Sequence, residues 1–397
     1  MRYLISGYYG EGNLGDEAIL AGILQEVETL DSHARFTVLS FDPGDTKRRH
    51  GVSSAPTSLR RPARLAELMR GHDLLISGGG SFLHEADFEQ HGRSFLWREG
   101  KLRPVPYFLS VIFVARSLGL PVMWYAQGLG PLHTGAARAF ASLAVSHSQV
   151  VTFRDRASAQ LALELGAQPP LLRVVPDPAY ALKAAPPERA REVLLAADLE
   201  PTRPYLAVCP RPWLGRQTYQ ERLLGALARV VRRWGHQVLF VPFHATQDVD
   251  LCRALSEQLA ARLADSLSPH RGASSVAAAP LLEEPAVAVA LLGEAEAVLA
   301  MRLHSGILAA SGGSPVISLV YDPKVAAFAE QTGQTTWAVS VDELEGPDGV
   351  ERLTKAMDDT LENAESRRIR LSTRVSRLKE ESGETARLAV ALARREI

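Results

Sequence analysis

Short apolar runs alternate with amphipathic stretches along nearly the whole chain. Runs at 3–6, 36–40, 74–77, 122–126, 150–153 and 172–175 read as strands of a first half. Runs at 205–209, 237–241, 297–301 and 316–320 read as strands of a second half. Between them, residues 17–30, 135–146, 219–234 and 248–263 carry helical patterns. Such alternation predicts an α/β fold with parallel sheets covered by helices on both faces. The last stretch, 349–397, is charged, rich in Lys and Arg, and helical in pattern.

Proline and glycine punctuate this pattern. Ala184-Ala185-Pro186-Pro187, inside 183–203, reads as a linker followed by a short helix. The expected division is a Rossmann-like domain at 1–184 and a second at 185–397, with the C-terminal helices packing back on the first. The simplest assembly is two such domains facing across a cleft, a GT-B-like architecture. Residues 266–275, rich in Ser, Pro and Gly, read as a mobile segment. A length of 397 residues fits two domains, each able to bury its own core.

Composition narrows the class only a little. The chain is 46% hydrophobic and 22% charged, with a formal net charge of -1. That balance argues against a chain that coats nucleic acid. Cys209 and Cys252 make no disulfide framework and show no metal-ligand spacing, so we expect no metal and a reducing compartment. The opening run Arg2-Tyr3-Leu4-Ile5-Ser6 reads as a strand and not a leader. The apolar stretch 105–120 contains Pro106 and Arg116 and is shorter than the ~20 residues of a membrane span. The expectation is a cytoplasmic protein. Lys47-Arg48-Arg49, Arg60-Arg61-Arg64 and residues 105–114 leave room for peripheral contact at the inner membrane face, against the plainer reading of solvated surface and core helix.

Candidate chemistry collects where predicted strands end and helices begin, the usual ligand position of open α/β sheets. Gly10, Gly12 and Gly15 satisfy G-x-G-x-x-G after the first strand, and Asp42 ends the next. Asp16 and Glu17 fall in the first helical turn, where carboxylates satisfy the dipole and repel a pyrophosphate. That weakens a dinucleotide-binding oxidoreductase. Asn13, Asp16 and Glu17 instead offer polar groups to the cleft, or form only an acidic turn. Gly78-Gly79-Gly80-Ser81 and Gln127-Gly128-Leu129-Gly130-Pro131 bare two further strand ends. Gly79, Gly80 and Gln127 then floor a flat site suited to a sugar; equally, the glycines only permit sharp turns. Arg154 either binds an anion or pairs with Asp177.

The second half delivers cations instead. Arg211 between two prolines, His244, Arg302 with His304, and Lys324 all follow predicted strands. Four cationic strand ends on one sheet suit a small, highly charged anion. Lys324, after Asp322-Pro323, has a structural reading as well.

Gly7-Tyr8-Tyr9-Gly10, Gly12-Asn13-Leu14-Gly15-Asp16-Glu17, Gly78-Gly79-Gly80-Ser81, Gln127-Gly128-Leu129-Gly130-Pro131, Phe153-Arg154-Asp155, Asp177-Pro178-Ala179, Arg302-Leu303-His304 and Tyr321-Asp322-Pro323-Lys324 together resemble the polysaccharide pyruvyltransferase family, in particular its CsaB-type branch. The resemblance runs from Met1 to about Ala329. It implies a GT-B-like transferase that moves the pyruvyl group of phosphoenolpyruvate onto a sugar as a cyclic ketal. The implied acceptor is an N-acetylmannosamine of a lipid-linked secondary cell-wall polysaccharide precursor, whose ketal anchors surface-layer proteins. Phosphoenolpyruvate is then a co-substrate, and no cofactor is expected. Arg302, Leu303 and His304 fall on the donor-binding element, with Arg211 and Arg154 as further candidates. His304, near-neutral in ordinary pKa, is the candidate acid, and Asp16 the candidate base. The rival readings are a nucleotide-sugar-dependent glycosyltransferase on the same fold and a non-catalytic carbohydrate-binding protein.

Overall fold

A computed structural model describes residues 1–57, 62–85, 97–98, 101–102, 104–264 and 276–397. The segment 266–275 and the arginines Arg60 and Arg61 lie outside the described residues. The described chain divides into two compact units. The first holds Met1–Glu11, Ile19–Ala181 and Leu378–Ile397; the second holds Gly12–Ala18 and Leu182–Arg377.

The sheet of the first unit contains β1 (Arg2–Ser6), β2 (Arg35–Ser40), β3 (Ser53–Pro56), β4 (Leu74–Ser77) and β5 (Gly80–Leu83). Two short strands, β6 (Trp97–Arg98) and β7 (Lys101–Leu102), pair with each other outside it. The sheet continues with β8 (Val122–Leu129), β9 (Val150–Phe153) and β10 (Leu171–Val174). Its order is β10-β9-β8-β4-β1-β2-β3, with β5 beside β8, and every pairing is parallel. Side chains alternate between two apolar layers. Leu4, Leu75 and Trp124 enter one core; Tyr3, Ile5, Ile76 and Tyr125 enter the other. Burial on both faces is why the central strands β4 and β8 are mostly apolar. The helix Pro104–Ser117 carries the apolar stretch at 105–114, and Val105, Val111 and Ile112 are buried in the first of these cores.

The second sheet contains β11 (Tyr205–Cys209), β12 (Gln237–Phe240), β13 (Val276–Ala278), β14 (Ala297–Ala300), β15 (Val316–Val320) and β16 (Ala338–Ser340). Its order is β13-β12-β11-β14-β15-β16, again all parallel. The tail forms the helices Gly349–Glu362 and Ala364–Ala393. The end of the latter belongs to the first unit, where Ser382 donates a 2.5 Å hydrogen bond to Glu26. Tyr125 donates to the other oxygen of the same carboxyl at 2.7 Å, and burial raises its pKa.

Each sheet has one place where strand order reverses: between β1 and β4, and between β11 and β14. At such a switch point two loops diverge and leave a crevice, so the residues there decide what the fold can do.

Candidate active site in the second unit

Arg302 follows β14 and caps the helix Leu303–Gly312 with an extended backbone. Its guanidinium grips Asp248 with two parallel bonds, Nε to Oδ2 at 2.8 Å and Nη2 to Oδ1 at 2.6 Å. Gln247 accepts a third bond at 2.9 Å. Asp248 is fully buried and also accepts the Phe243 amide at 3.1 Å. This fork geometry fixes the guanidinium plane. It also means that Arg302 is charge-compensated, which its sequence position did not reveal.

His244 follows β12 and is half-buried beside this pair. Burial, then the guanidinium groups of Arg302 and Arg211, hold its pKa below the usual histidine value; Asp248 opposes them only in part. The Thr246 amide donates to its Nδ1 at 3.3 Å, which leaves the proton of the neutral ring on Nε2.

The segment Gly12–Ala18 zips onto the same edge. Ala245 N–H donates to Gly12 O at 2.9 Å, Leu14 N–H donates to Phe243 O at 2.8 Å, and Asn13 bridges His244 antiparallel. Asn13 then opens the helix Leu14–Leu30. Its Oδ1 accepts the Gly15 amide at 3.1 Å, and its Nδ2 donates to Asp16 Oδ2 at 2.6 Å. The His304 ring lies against Gly15, so closely that a Cβ there would overlap Nδ1. Asp16, the next residue along, falls in the same compact unit as His304. The third glycine of the opening motif makes room for an imidazole. Asp16 is 8% exposed and Glu17 only 1%, so Glu17 does not offer a free polar face. Asp42 caps the helix Pro43–His50 by accepting the Asp45 amide, a structural role. In that helix Arg48 and Arg49 both pair with Asp45.

Arg211 follows β11. Its guanidinium lies 4.7 Å from the Tyr321 ring centre and 5.4 Å from that of Trp213, and its Nη1 donates to the Tyr321 hydroxyl at 2.7 Å. Lys324 pairs with Asp322 at 3.3 Å. Leu303 is buried at the start of its helix. Of the four cationic strand ends, two thus carry a carboxylate partner, and Arg211 has none among the described residues.

Arg154, Gly79, Gly80 and Gln127 lie in the first unit. Arg154 pairs with Asp177 at 3.0 Å, both side chains about 95% buried (5% and 4% exposed). The bare floor expected at the glycine-rich ends is filled by the chain itself. Tyr9, with no exposed surface, lies against both Gly7 and Gly78, where any Cβ would strike its ring or hydroxyl. A Cβ at Gly79 would sit 3.0 Å from the Tyr125 carbonyl oxygen. Gln127 is fully buried, and its Nε2 donates to Gly80 O at 2.9 Å.

Sequence reasoning missed the roles of Asp248, Tyr321 and Trp213. The available signal was position: Asp248 follows β12, Trp213 follows β11 and Tyr321 follows β15. Cys209 and Cys252 are buried free thiols whose pKa burial raises. Among the described residues, no group of three His, Cys, Asp or Glu side chains could hold a metal ion, and no helix is long and apolar enough to cross a membrane.

Residues 13–323 match the family model of polysaccharide pyruvyl transferase. Among solved structures, UDP-GlcNAc 2-epimerase from Methanocaldococcus jannaschii is 13% identical, with a TM-score of 0.60 over 91% of this chain and 93% of that one. Anabaena HepE, solved with UDP and glucose, is 13% identical with a TM-score of 0.60 over 100% of both chains. An α,α-trehalose 6-phosphate synthase from Burkholderia multivorans is 12% identical with a TM-score of 0.57, covering 99% of this chain and 96% of that one. Such identities establish the fold alone: two parallel α/β sheets of the GT-B type.

Proposed function

The chain belongs to the polysaccharide pyruvyl transferase family, and from that premise we propose that it moves the pyruvyl group of phosphoenolpyruvate onto two hydroxyls of an acceptor sugar, releasing phosphate. The observation that carries this reading is the packing of His304 against Gly15, next to Asp16, beside the clamped Arg302. It brings a candidate acid and a candidate base into one unit, at a strand edge that also carries Arg211.

The chemistry needs both. His304 delivers a proton to C3 of the enol while one sugar hydroxyl adds to C2 and passes its proton to Asp16. The C2–O bond to phosphate then breaks, and the phosphate leaves with that electron pair. The second hydroxyl adds to C2 and gives up its proton to the departing phosphate, which closes the ring. Two C–O bonds, one C–H bond and one O–H bond on phosphate form, while the C2=C3 π bond, one C–O bond and two sugar O–H bonds break. Arg211 answers the donor's carboxylate or phosphate, and Arg302 orients the start of the helix that bears His304. His244 and Lys324 stand as further donor candidates, and Asn13 stands as an acceptor candidate acting through its bond to Asp16.

The finer reading is an aminosugar acceptor of the CsaB type, an N-acetylmannosamine of a lipid-linked cell-wall precursor met at the inner face of the membrane. The rival is transfer from a nucleotide sugar, favoured by the likeness to Anabaena HepE, which was solved with UDP and glucose. Incubation with phosphoenolpyruvate and a panel of aminosugar acceptors tests both, read by product mass and phosphate release. A ketal adduct with one phosphate per turnover is expected. Glycosyl transfer from a UDP-sugar, with phosphoenolpyruvate left intact, would assign the rival.

A further inference from the structure

We infer that Trp213 and Tyr321 form an aromatic clamp that aims Arg211 at the donor, and that the Tyr321 hydroxyl itself donates a hydrogen bond to a donor oxyanion. This rests on the donor reading above and extends it to two residues that the reading did not include.

The geometry is that of a held cation. The Trp213 and Tyr321 rings meet edge-on at 4.6 Å, and the Arg211 guanidinium lies near both faces. Cation–π attraction and the 2.7 Å bond to Tyr321 fix the plane of the group. The Tyr219 hydroxyl donates to the Arg211 carbonyl and fixes the backbone as well. Arg211 Nε points to the Pro212 carbonyl at 3.4 Å, a long contact. Of its five N–H groups, those on Nη2 and one on Nη1 remain for an oxyanion. These remaining N–H groups form a fork edge that matches a carboxylate or phosphate.

Tyr321 contributes more than a surface. Its oxygen accepts from Arg211, so its own proton remains to be donated. A hydroxyl that is polarised by a guanidinium is a strong donor to an anion. Arg211 and Tyr321 together present one converging set of donors for a single oxyanion. Unlike Arg302 and Lys324, this set carries uncompensated positive charge among the described residues.

Calorimetric titration of the full chain with phosphoenolpyruvate and, separately, with UDP tests this, alongside melting temperatures. Tyr321→Phe keeps the ring and should weaken phosphoenolpyruvate about tenfold without changing the melting temperature. Trp213→Ala should weaken it about fivefold, and Trp213→Phe should restore most of that loss. In turnover, Tyr321→Phe should raise KM and leave kcat within about twofold. Unchanged affinity in Tyr321→Phe at an unchanged melting temperature would overturn the clamp. If the wild type binds UDP and not phosphoenolpyruvate, the donor reading falls, and the same ratio measured on UDP decides the clamp. A wild type that binds neither overturns both.

Discussion

The two sheets share one topology and treat their switch points in opposite ways. Between β1 and β4 the crevice is closed by the protein's own Tyr9, seated on Gly7 and Gly78. Between β11 and β14 the loops present Arg211, Arg302 and His304, with the Gly12–Ala18 segment alongside. Glycines occur at both edges for different reasons. In the first sheet they admit a buried aromatic ring; at Gly15 the missing side chain admits a histidine. A glycine-rich strand end is therefore a statement about close approach, and only the approaching group says whether the site is structural or chemical.

The contrast is broken most directly at His304. His304→Ala should lower ketal formation by about two to four orders of magnitude while the protein still folds; near wild-type phosphate release would move the acid elsewhere. Next in size is the buried pair that supports it. Asp248→Ala leaves Arg302 without its carboxylate and should cost about 3–5 kcal/mol of stability, read by urea unfolding. A loss below about 1 kcal/mol would mean that Arg302 relaxes into solvent and is not a fixed part of the edge. The glycines then separate the two edges. Gly15→Ala should push the His304 ring aside and reduce turnover about 10- to 100-fold with little change in stability. Gly78→Ala should displace Tyr9 and cost about 1–3 kcal/mol, with turnover per folded molecule preserved. The reverse pattern would put the chemistry on the first sheet.

The same contrast explains what was readable. Central strands such as β4, β9, β11 and β15 are buried on both faces and appear in the sequence as mostly apolar runs with the observed bounds. Of the four outer strands, only β10 reads as a strand in the sequence. β3 is Ser53-Ser54-Ala55-Pro56, with neither an apolar run nor strict alternation. β13 and β16 have three residues each, too few for any periodicity. At the site, charged residues after strands were visible because strand ends are. Their charge state was not, since Asp248 lies 54 residues before Arg302 and joins it only through the fold. Tyr9 stood in plain view between glycines, but nothing local says that a tyrosine turns inward.

The smallest expected effect concerns His244, which senses the crowding of charge at the second edge. Burial and the nearby Arg302 and Arg211 lower its folded pKa below the ordinary value of about 6.5, with Asp248 as the opposing neighbour. As pH falls through the window just below 6.5, the unfolded chain takes up a proton on this histidine and the folded chain does not. Protons bound in excess by the unfolded state make stability fall with falling pH. His244 therefore contributes a penalty that is absent above pH 6.5 and grows below it, by at most about 1.4 kcal/mol per pH unit. His72 and His236 are lowered in the same direction by burial, so the total slope does not isolate His244. The difference between wild type and His244→Gln does. Urea unfolding at pH 5.0, 5.5, 6.0 and 7.0 should show the variant losing less stability on acidification. Parallel curves would mean that His244 titrates alike in both states, and that the positive field assigned to this edge does not reach it.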